Sequence, residues 1–417
     1  MKKAPELLAP AGNLEKLKVA LEFGADAVYF GLPDFSLRAR INQFGKDEIR
    51  EGARICREKG KKFYVTINIY AHNSHLKELP GHLRFLKEIK PDGVILSDPG
   101  VLKMVKKELP EVSLHLSTQA NAANSEAVKF WQEQGIERTI LARELSLPEI
   151  SAIKKEVPAM ELECFVHGAM CMAYSGRCVL SKWMTGRSAN LGDCAQPCRW
   201  KYKSSEWRNK NFIDDKDRFE LDVEEDKQGT YIFNSYDINL IKYLPELAGA
   251  GVDSFKVEGR GKSSYYVGCV VRSYRKVLDA LAEKGKETAK EEAGKEYKEL
   301  EKLSSRGYWT GFITGEEPPH LQEKASLEAP FMYAGLSMER KTSLVREVFV
   351  HNFLKKGEKV EVVTPREVFI SSVEKIEDEE GNELESAHGG ADKYFQVEFS
   401  RQIKGVFLLR KIKGAVN

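Results

Sequence analysis

Phe63-Tyr64-Val65-Thr66-Ile67, Gly93-Val94-Ile95-Leu96, Ser113-Leu114-His115-Leu116 and Thr139-Ile140-Leu141 set the architecture of this chain. Each run is short and apolar or β-branched, and an amphipathic stretch separates it from the next, as in parallel strands joined by crossover helices. Upstream, Leu7-Leu8-Ala9 and Ala27-Val28-Tyr29-Phe30 extend the series. Between them Asn13 stands before Leu14, Leu17 and Leu21, and Gly24 closes the helical segment. Downstream, Glu161 to Val166 gives a seventh strand, with Tyr231 to Asn234 and Ser254 to Val257 as later candidates. The count predicts an α/β fold, a TIM-like (β/α)8 barrel over residues 1–314 with a cysteine-rich insertion at about 164–230.

The pattern then changes. Asp214 to Lys227 is acidic and weakly alternating, and reads as a solvated hairpin or loop inserted into the barrel. Residues 278–303 are rich in Ala, Glu and Lys and are expected to form an exposed helix. Residues 315–329, opening on Gly315-Glu316-Glu317-Pro318-Pro319, read as a linker. Beyond it, alternating runs such as Lys359-Val360-Glu361-Val362-Val363 and Tyr394-Phe395-Gln396-Val397-Glu398 predict a small β-barrel domain over 330–417.

Charge and hydropathy narrow the function classes. Among 417 residues, 65 Lys and Arg face 63 Asp and Glu, a net charge of +2. This excludes a globally polycationic binder, so any nucleic-acid surface is local. No apolar run has the length of a membrane span, and Met1-Lys2-Lys3-Ala4-Pro5 has no apolar segment resembling a signal peptide, so a cytoplasmic, membrane-free protein is expected.

In a βα barrel the chemistry sits at the C-terminal strand ends, so the polar residues following each run are the candidates. Glu163, His167 and Glu258 are the catalytic candidates. Arg38, Arg40, Asn68, Gln119, Arg143, Lys256 and Arg260 are the substrate-binding ones. Several arginines around one barrel mouth suit a carboxylate- or phosphate-bearing substrate, because a guanidinium fork holds a planar anion at two points. The competing expectation is local pairing, Arg143 with Glu144 or Arg260 with Glu258, serving stability alone.

The strongest local signal is Cys171-x6-Cys178-x15-Cys194-x3-Cys198, in a segment rich in Gly, Ser and Arg. Four thiolates gathered from a loop can close a zinc site or hold an iron–sulfur cluster, and spacing does not choose between them. Cys164, within a strand, Cys56 and Cys269 read as structural.

Glu163 to Cys178, continuing to Ser181, and Asn190-Leu191-Gly192-Asp193-Cys194-Ala195-Gln196-Pro197-Cys198-Arg199 resemble the two cysteine blocks of the collagenase-like U32 peptidase family. Leu8 to Asn13, Phe35 to Arg40, Ser117-Thr118-Gln119, Lys256 to Arg260 and Arg306 to Phe312 extend the resemblance over residues 5 to about 315, and the remainder is similar to the family's C-terminal β-barrel. The arrangement is most similar to the branch that makes 5-hydroxyuridine at the tRNA wobble position. The resemblance implies an oxygen-independent tRNA hydroxylase with a 4Fe–4S cluster on Cys171, Cys178, Cys194 and Cys198. It further implies prephenate as co-substrate, tRNA as partner and a paralogous family member as a candidate partner. Cys198 takes the fourth ligand position by proximity.

Two other readings stand beside this one: a U32-type endopeptidase, and a zinc-stabilised, non-enzymatic RNA-binding protein. Against the peptidase, the sequence has neither H-E-x-x-H nor G-x-S-x-G. For RNA, residues 177–210 carry Arg177, Lys182, Arg187, Arg199, Lys201, Lys203, Arg208 and Lys210 against Asp193 and Glu206, interleaved with Trp183, Trp200, Tyr202 and Trp207. Such a run can track a phosphate backbone and stack on splayed bases, or simply be a solvated loop whose tryptophans pack on the barrel.

Overall fold

The short runs become strands, and the strands close. In the computed structural model, which describes residues 4–31, 35–36, 44–171, 173–191, 193–199, 202–204, 211–214, 220–222, 236–316, 329–390 and 394–412, eight parallel strands form a barrel. They are β1 (Glu6–Pro10), β2 (Ala27–Gly31), β3 (Lys62–Ile67), β4 (Gly93–Leu96), β5 (Ser113–Leu116), β6 (Arg138–Ile140), β7 (Glu161–Ala169) and β12 (Ser254–Val257). Closure is made by β12, which pairs with β1 (Leu7 opposite Phe255) and with β7 (Phe255 opposite Cys164). The barrel interior is filled by alternate residues: Leu8, Ala27, Tyr29, Tyr64, Ile95 and Ile140 cluster with Phe165.

Helices α2 (Lys46–Glu58), α3 (Asn73–Ile89), α4 (Pro99–Glu108), α5 (Ser125–Glu133) and α6 (Leu147–Glu156) connect successive strands. Their starts obey local chemistry: Asp98 accepts from the backbone of Val101 and Asn124 from that of Ala127, while Ser146 and Glu149 form a capping box. The cysteine segment follows β7 and holds α7 (Leu180–Thr185). After it, β8 (Tyr202–Ser204), β9 (Asn211–Asp214) and β10 (Glu220–Asp222) form a three-stranded antiparallel sheet, so the described part of the acidic segment, Asp214 and Glu220–Asp222, lies on paired strands.

The expected strand Tyr231–Asn234 lies outside the described residues. The described strand here, β11 (Asp237–Asn239), pairs antiparallel with the end of β7. β7 runs nine residues, longer than its barrel neighbours, so His167 to Ala169 also offer an edge to β11, and β13 (Tyr308–Trp309) pairs with β11 in turn. Helix α8 (Leu244–Gly249) leads back to β12.

The exposed helix expected over 278–303 is corrected to two helices, α9 (Ser264–Lys284) and α10 (Lys286–Leu300). Gly285 sits between them at φ +85°, a conformation open to glycine. Nor is α10 solvated all round. Ala289, Ala293, Glu296 and Leu300 are buried along one stripe, where Glu296 accepts from Arg272 at 3.0 Å, Ser273 at 2.7 Å and Lys276 at 2.8 Å.

The C-terminal strands are β14 (Phe331–Ser337), β15 (Thr342–Val350), β16 (Phe353–Lys355), β17 (Lys359–Val363), β18 (Val368–Glu377), β19 (Ser386–His388), β20 (Tyr394–Lys404) and β21 (Phe407–Ile412). Six of them close an antiparallel barrel in the order β14-β15-β20-β18-β17-β21, packed on Val348, Val362, Val397 and Leu409. Contacts group the chain into two units: residues 1–14, 26–261 and 305–327, and residues 15–25, 262–304 and 328–417. Helix α1 (Leu14–Glu22) from Glu15 onward, α9 and α10 therefore belong with the small barrel.

Candidate active site

A cavity of about 370 Å³ opens at the C-terminal ends of the strands of the first unit. The architecture predicts this location, and several of the expected site residues gather there. Asn68, Gln119, Arg143, Lys256, Glu258 and Arg260 all line it. So do Cys171, Cys178, Cys194 and Cys198. Arg38 and Arg40 lie outside the described residues.

Under the cavity floor is an ion network. Glu163, fully buried on β7, accepts from the Lys256 ammonium at 2.7 Å and from Arg138 at 3.3 Å. Arg138 also meets Glu6 at 2.6 Å and Glu161 at 2.7 Å, and Glu6 accepts from the Tyr64 hydroxyl at 2.6 Å and Ser254 at 3.0 Å. Burial works against the Glu6 charge, but the Arg138 charge and the bonds from Tyr64, Arg138 and Ser254 outweigh it and hold the carboxyl below its ordinary value. Burial also drives His115 well below the imidazole range, helped by the Arg138 and Lys256 charges, so it sits neutral in the barrel wall. Glu163 is not a cavity-lining group: it anchors Lys256 from below.

Lys256 and the arginines are held by aromatic faces. The Lys256 ammonium lies 4.2 Å from the centre of the Tyr29 ring, and burial pushes its pKa down against the pull of Glu163. Arg143 stacks on Phe165 at 4.0 Å and donates to the Ala169 carbonyl at 3.1 Å, while its buried Nε has no partner among the described residues. Arg260 donates to Ser36 at 2.5 Å and reaches Thr66 at 3.4 Å. Glu258 accepts from the Tyr29 hydroxyl at 3.2 Å. Tyr29 and Phe165 were missed as site residues; their alternation with Ala27 and Glu163 was the signal that they face inward.

His167 stands apart. It does not line the cavity, and its ring packs against Tyr308 with centres 5.4 Å apart. At the neighbouring Gly168, φ is +105° and a Cβ would meet the Glu258 carbonyl oxygen at 2.5 Å, so β7 and β12 approach there as only glycine allows.

The cysteine segment is tied to the mouth at several points. The Glu144 carboxylate accepts from the Ser175 backbone at 2.9 Å and from its hydroxyl at 3.2 Å; it is therefore committed to the loop. The Tyr70 hydroxyl lies 3.0 Å from the Gln119 carbonyl and 2.6 Å from that of Gly176, and the Tyr70 amide donates to Asn190. Gly176 has φ +79°, and a Cβ there would come within 2.2 Å of the Gln119 carbonyl oxygen. Buried Ser181 accepts from the Ala195 amide at 2.9 Å, linking the two cysteine blocks.

No disulfide joins the seven cysteines. Cys56, Cys164 and Cys269 are buried, and burial raises all three thiols, Cys56 to about 12 and Cys269 to about 11, as expected of structural residues. The loop four differ. Cys171 is exposed and the others half-buried, facing one cavity. Among the described residues no three His, Cys, Asp or Glu side chains stand at metal-ligand spacing. The donor set nevertheless fits a thiolate-bound metal or cluster: four soft ligands line one cavity, in a segment from Cys171 to Cys198 whose one carboxylate, Asp193, is paired with Arg187 at 2.8 Å. Of the basic and aromatic run, Arg177, Lys182, Trp183 and Arg187 are described; the side chains of Arg199, Trp200, Lys201, Tyr202, Lys203, Trp207, Arg208 and Lys210 are outside the described set.

The family model described as Peptidase family U32 matches residues 12–323, and that of the Peptidase family U32 C-terminal domain matches 332–410. The chain belongs to peptidase family U32. It is 41% identical over 390 residues to tRNA hydroxylation protein P1 of Bacillus subtilis (strain 168), covering 92% of this chain and 90% of that one. It is 37% identical over 448 residues to tRNA hydroxylation protein P of Escherichia coli (strain K12), covering 98% and 97%. It is 34% identical over 324 residues to a collagenase of Porphyromonas gingivalis (strain ATCC BAA-308 / W83), covering 75% and 74%.

Proposed function

We propose that this chain is an oxygen-independent RNA hydroxylase that converts the wobble uridine of tRNA to 5-hydroxyuridine in the cytoplasm. The observation that carries the reading is the convergence of four loop cysteines and four cations, Arg143, Arg177, Lys256 and Arg260, on one cavity at the barrel mouth. The tRNA hydroxylation proteins similar to it over nine-tenths or more of both chains supply the substrate class. Among the described helices none is long and apolar enough to cross a membrane, which accords with a tRNA substrate.

Cys171, Cys178, Cys194 and Cys198 would hold a 4Fe–4S cluster, which supplies one-electron transfer; zinc is the competing occupant. The chain's own residues do the rest. Arg143 and Arg260, oriented by Phe165, Ala169, Ser36 and Thr66, both line the cavity and would offer their guanidiniums to a dicarboxylate of the prephenate type. Lys256 is kept in place by Glu163 below it, so its charge costs little reorganisation when an anion arrives. Glu258, accepting from the Tyr29 hydroxyl, brings to the cavity a carboxylate that can take up or return a proton beside the bound anion.

The endopeptidase reading has the collagenase similarity behind it, but among the described residues no histidine lines the cavity to serve a cysteine or serine nucleophile. The test is deletion of the gene in its native host, followed by mass spectrometry of tRNA nucleosides. Loss of 5-hydroxyuridine-derived nucleosides is expected; an unchanged profile in a host without a second such protein contradicts the reading.

A further inference from the structure

Among the described residues of the first unit, four large apolar side chains stand well exposed, and three of them fall within one ten-residue stretch of the cysteine loop: Tyr174 at 66%, Val179 at 73% and Trp183 at 70%. Tyr174 and Val179 line the cavity mouth. Trp183 donates its amide to the Val179 carbonyl at 2.9 Å, so the two lie one helical turn apart on the same face of α7. This face is not loose. Ser181 and Met184 are buried on the other side of the helix, Ser181 bound to the Ala195 amide, and Lys182 closes the helix end on the Gly186 carbonyl at 3.0 Å.

A fixed helix that turns a tryptophan and a valine outward, with a tyrosine beside the same opening, presents apolar surface to something other than the chain's own core. The charge around it identifies the kind of partner. Arg177 and Lys182 are exposed between the three side chains, while Arg187 beyond them is neutralised by Asp193 at 2.8 Å. Cations interleaved with flat aromatic faces match a single-stranded nucleic acid, whose phosphates and unstacked bases need both.

We infer that Tyr174, Val179 and Trp183 form a stacking platform for the unpaired RNA bases flanking the nucleotide that enters the cavity, with Arg177 and Lys182 on the adjoining phosphates. The inference rests on the reading of this chain as an RNA-modifying protein. A duplex offers no free base faces, so the platform selects looped RNA over paired RNA of the same length.

The test is fluorescence anisotropy of the full chain with a labelled anticodon stem-loop and with a fully paired RNA of equal length, for the wild type, Tyr174→Ala, Trp183→Ala and Trp183→Phe, each checked by thermal melting. Both alanine variants are expected to melt as the wild type and to bind the stem-loop about tenfold more weakly. Trp183→Phe should stay within about threefold of the wild type, and binding of the paired RNA should change little in any variant. Wild-type binding to the stem-loop with equal binding by both alanine variants overturns the platform and leaves the RNA-modifying reading standing. A wild type that binds neither tRNA nor the stem-loop overturns both.

Discussion

Glu144 and Ser175 lock the cysteine loop to the end of the sixth barrel strand: one carboxylate takes both the amide and the hydroxyl of a single residue, at 2.9 and 3.2 Å. Half-buried, the two bonds together hold the loop by about 1.5 kcal/mol. Glu144→Ala should therefore leave the melting of the barrel nearly unchanged while speeding limited proteolysis within residues 171–191 by about tenfold. Gly176→Ala should do the same more severely, because its Cβ collides with the Gln119 carbonyl. A loop that stays protected in both variants removes these anchors from the account.

The cysteines divide into two classes by environment, and substitution should separate them. After anaerobic preparation, Ser at 171, 178, 194 or 198 is expected to abolish the brown colour together with iron and acid-labile sulfide. Cys56→Ser and Cys269→Ser should retain all three, at some cost in stability from burying a hydroxyl in place of a thiol. Full cluster content after any one of the loop substitutions strikes that residue from the ligand set.

Arg143 and Arg260 are expected to work through the planar fork rather than through charge. Arg143→Lys and Arg260→Lys keep the charge and lose the two-point grip, so each should fold, load the cluster and lose tRNA hydroxylation by tenfold or more. Prephenate titrated calorimetrically into the wild type should bind, and into either variant bind measurably more weakly. Normal nucleoside levels in both would return these arginines to a purely structural role.

The Glu6–Arg138 pair makes a signed prediction for acid stability. Because the folded carboxyl is held below 4.5, it contributes stability that is present above 4.5 and is lost as the pH falls through the folded value. Glu6→Gln should lower the melting temperature at neutral pH, since it leaves Arg138 partly uncompensated. Below 4.5 the gap between variant and wild type should narrow. A gap independent of pH would mean that packing, and not charge, explains the loss.

How much of this was legible beforehand follows the physics of each feature. The parallel strands were readable because burial on both faces demands continuous apolar runs such as Val94 to Leu96, which composition alone displays. The cavity residues Asn68, Gln119, Arg143, Lys256, Glu258 and Arg260 were readable because barrel geometry sends the chemistry to strand ends. His167 was not: it also follows an apolar run, but β7 outlasts the barrel and its end faces Tyr308, a pairing made by chain 141 residues further on. The same holds for the Glu144–Ser175 and Tyr70–Gly176 ties, which no local pattern encodes. Residues 278–303 misled for a different reason. An Ala/Glu/Lys composition marks helix propensity, yet the buried Glu296 cluster is fixed by Arg272 and Lys276 on the preceding helix.

The central claim is that this one cavity hydroxylates tRNA, and mass spectrometry of tRNA nucleosides tests it most directly. The chain, or its Cys194→Ser form, is expressed in a bacterial strain stripped of its own tRNA hydroxylation proteins. The account predicts that 5-hydroxyuridine-derived nucleosides return with the wild-type chain and stay absent with Cys194→Ser at equal protein level. Their absence with the wild type, or their return with the variant, would contradict it.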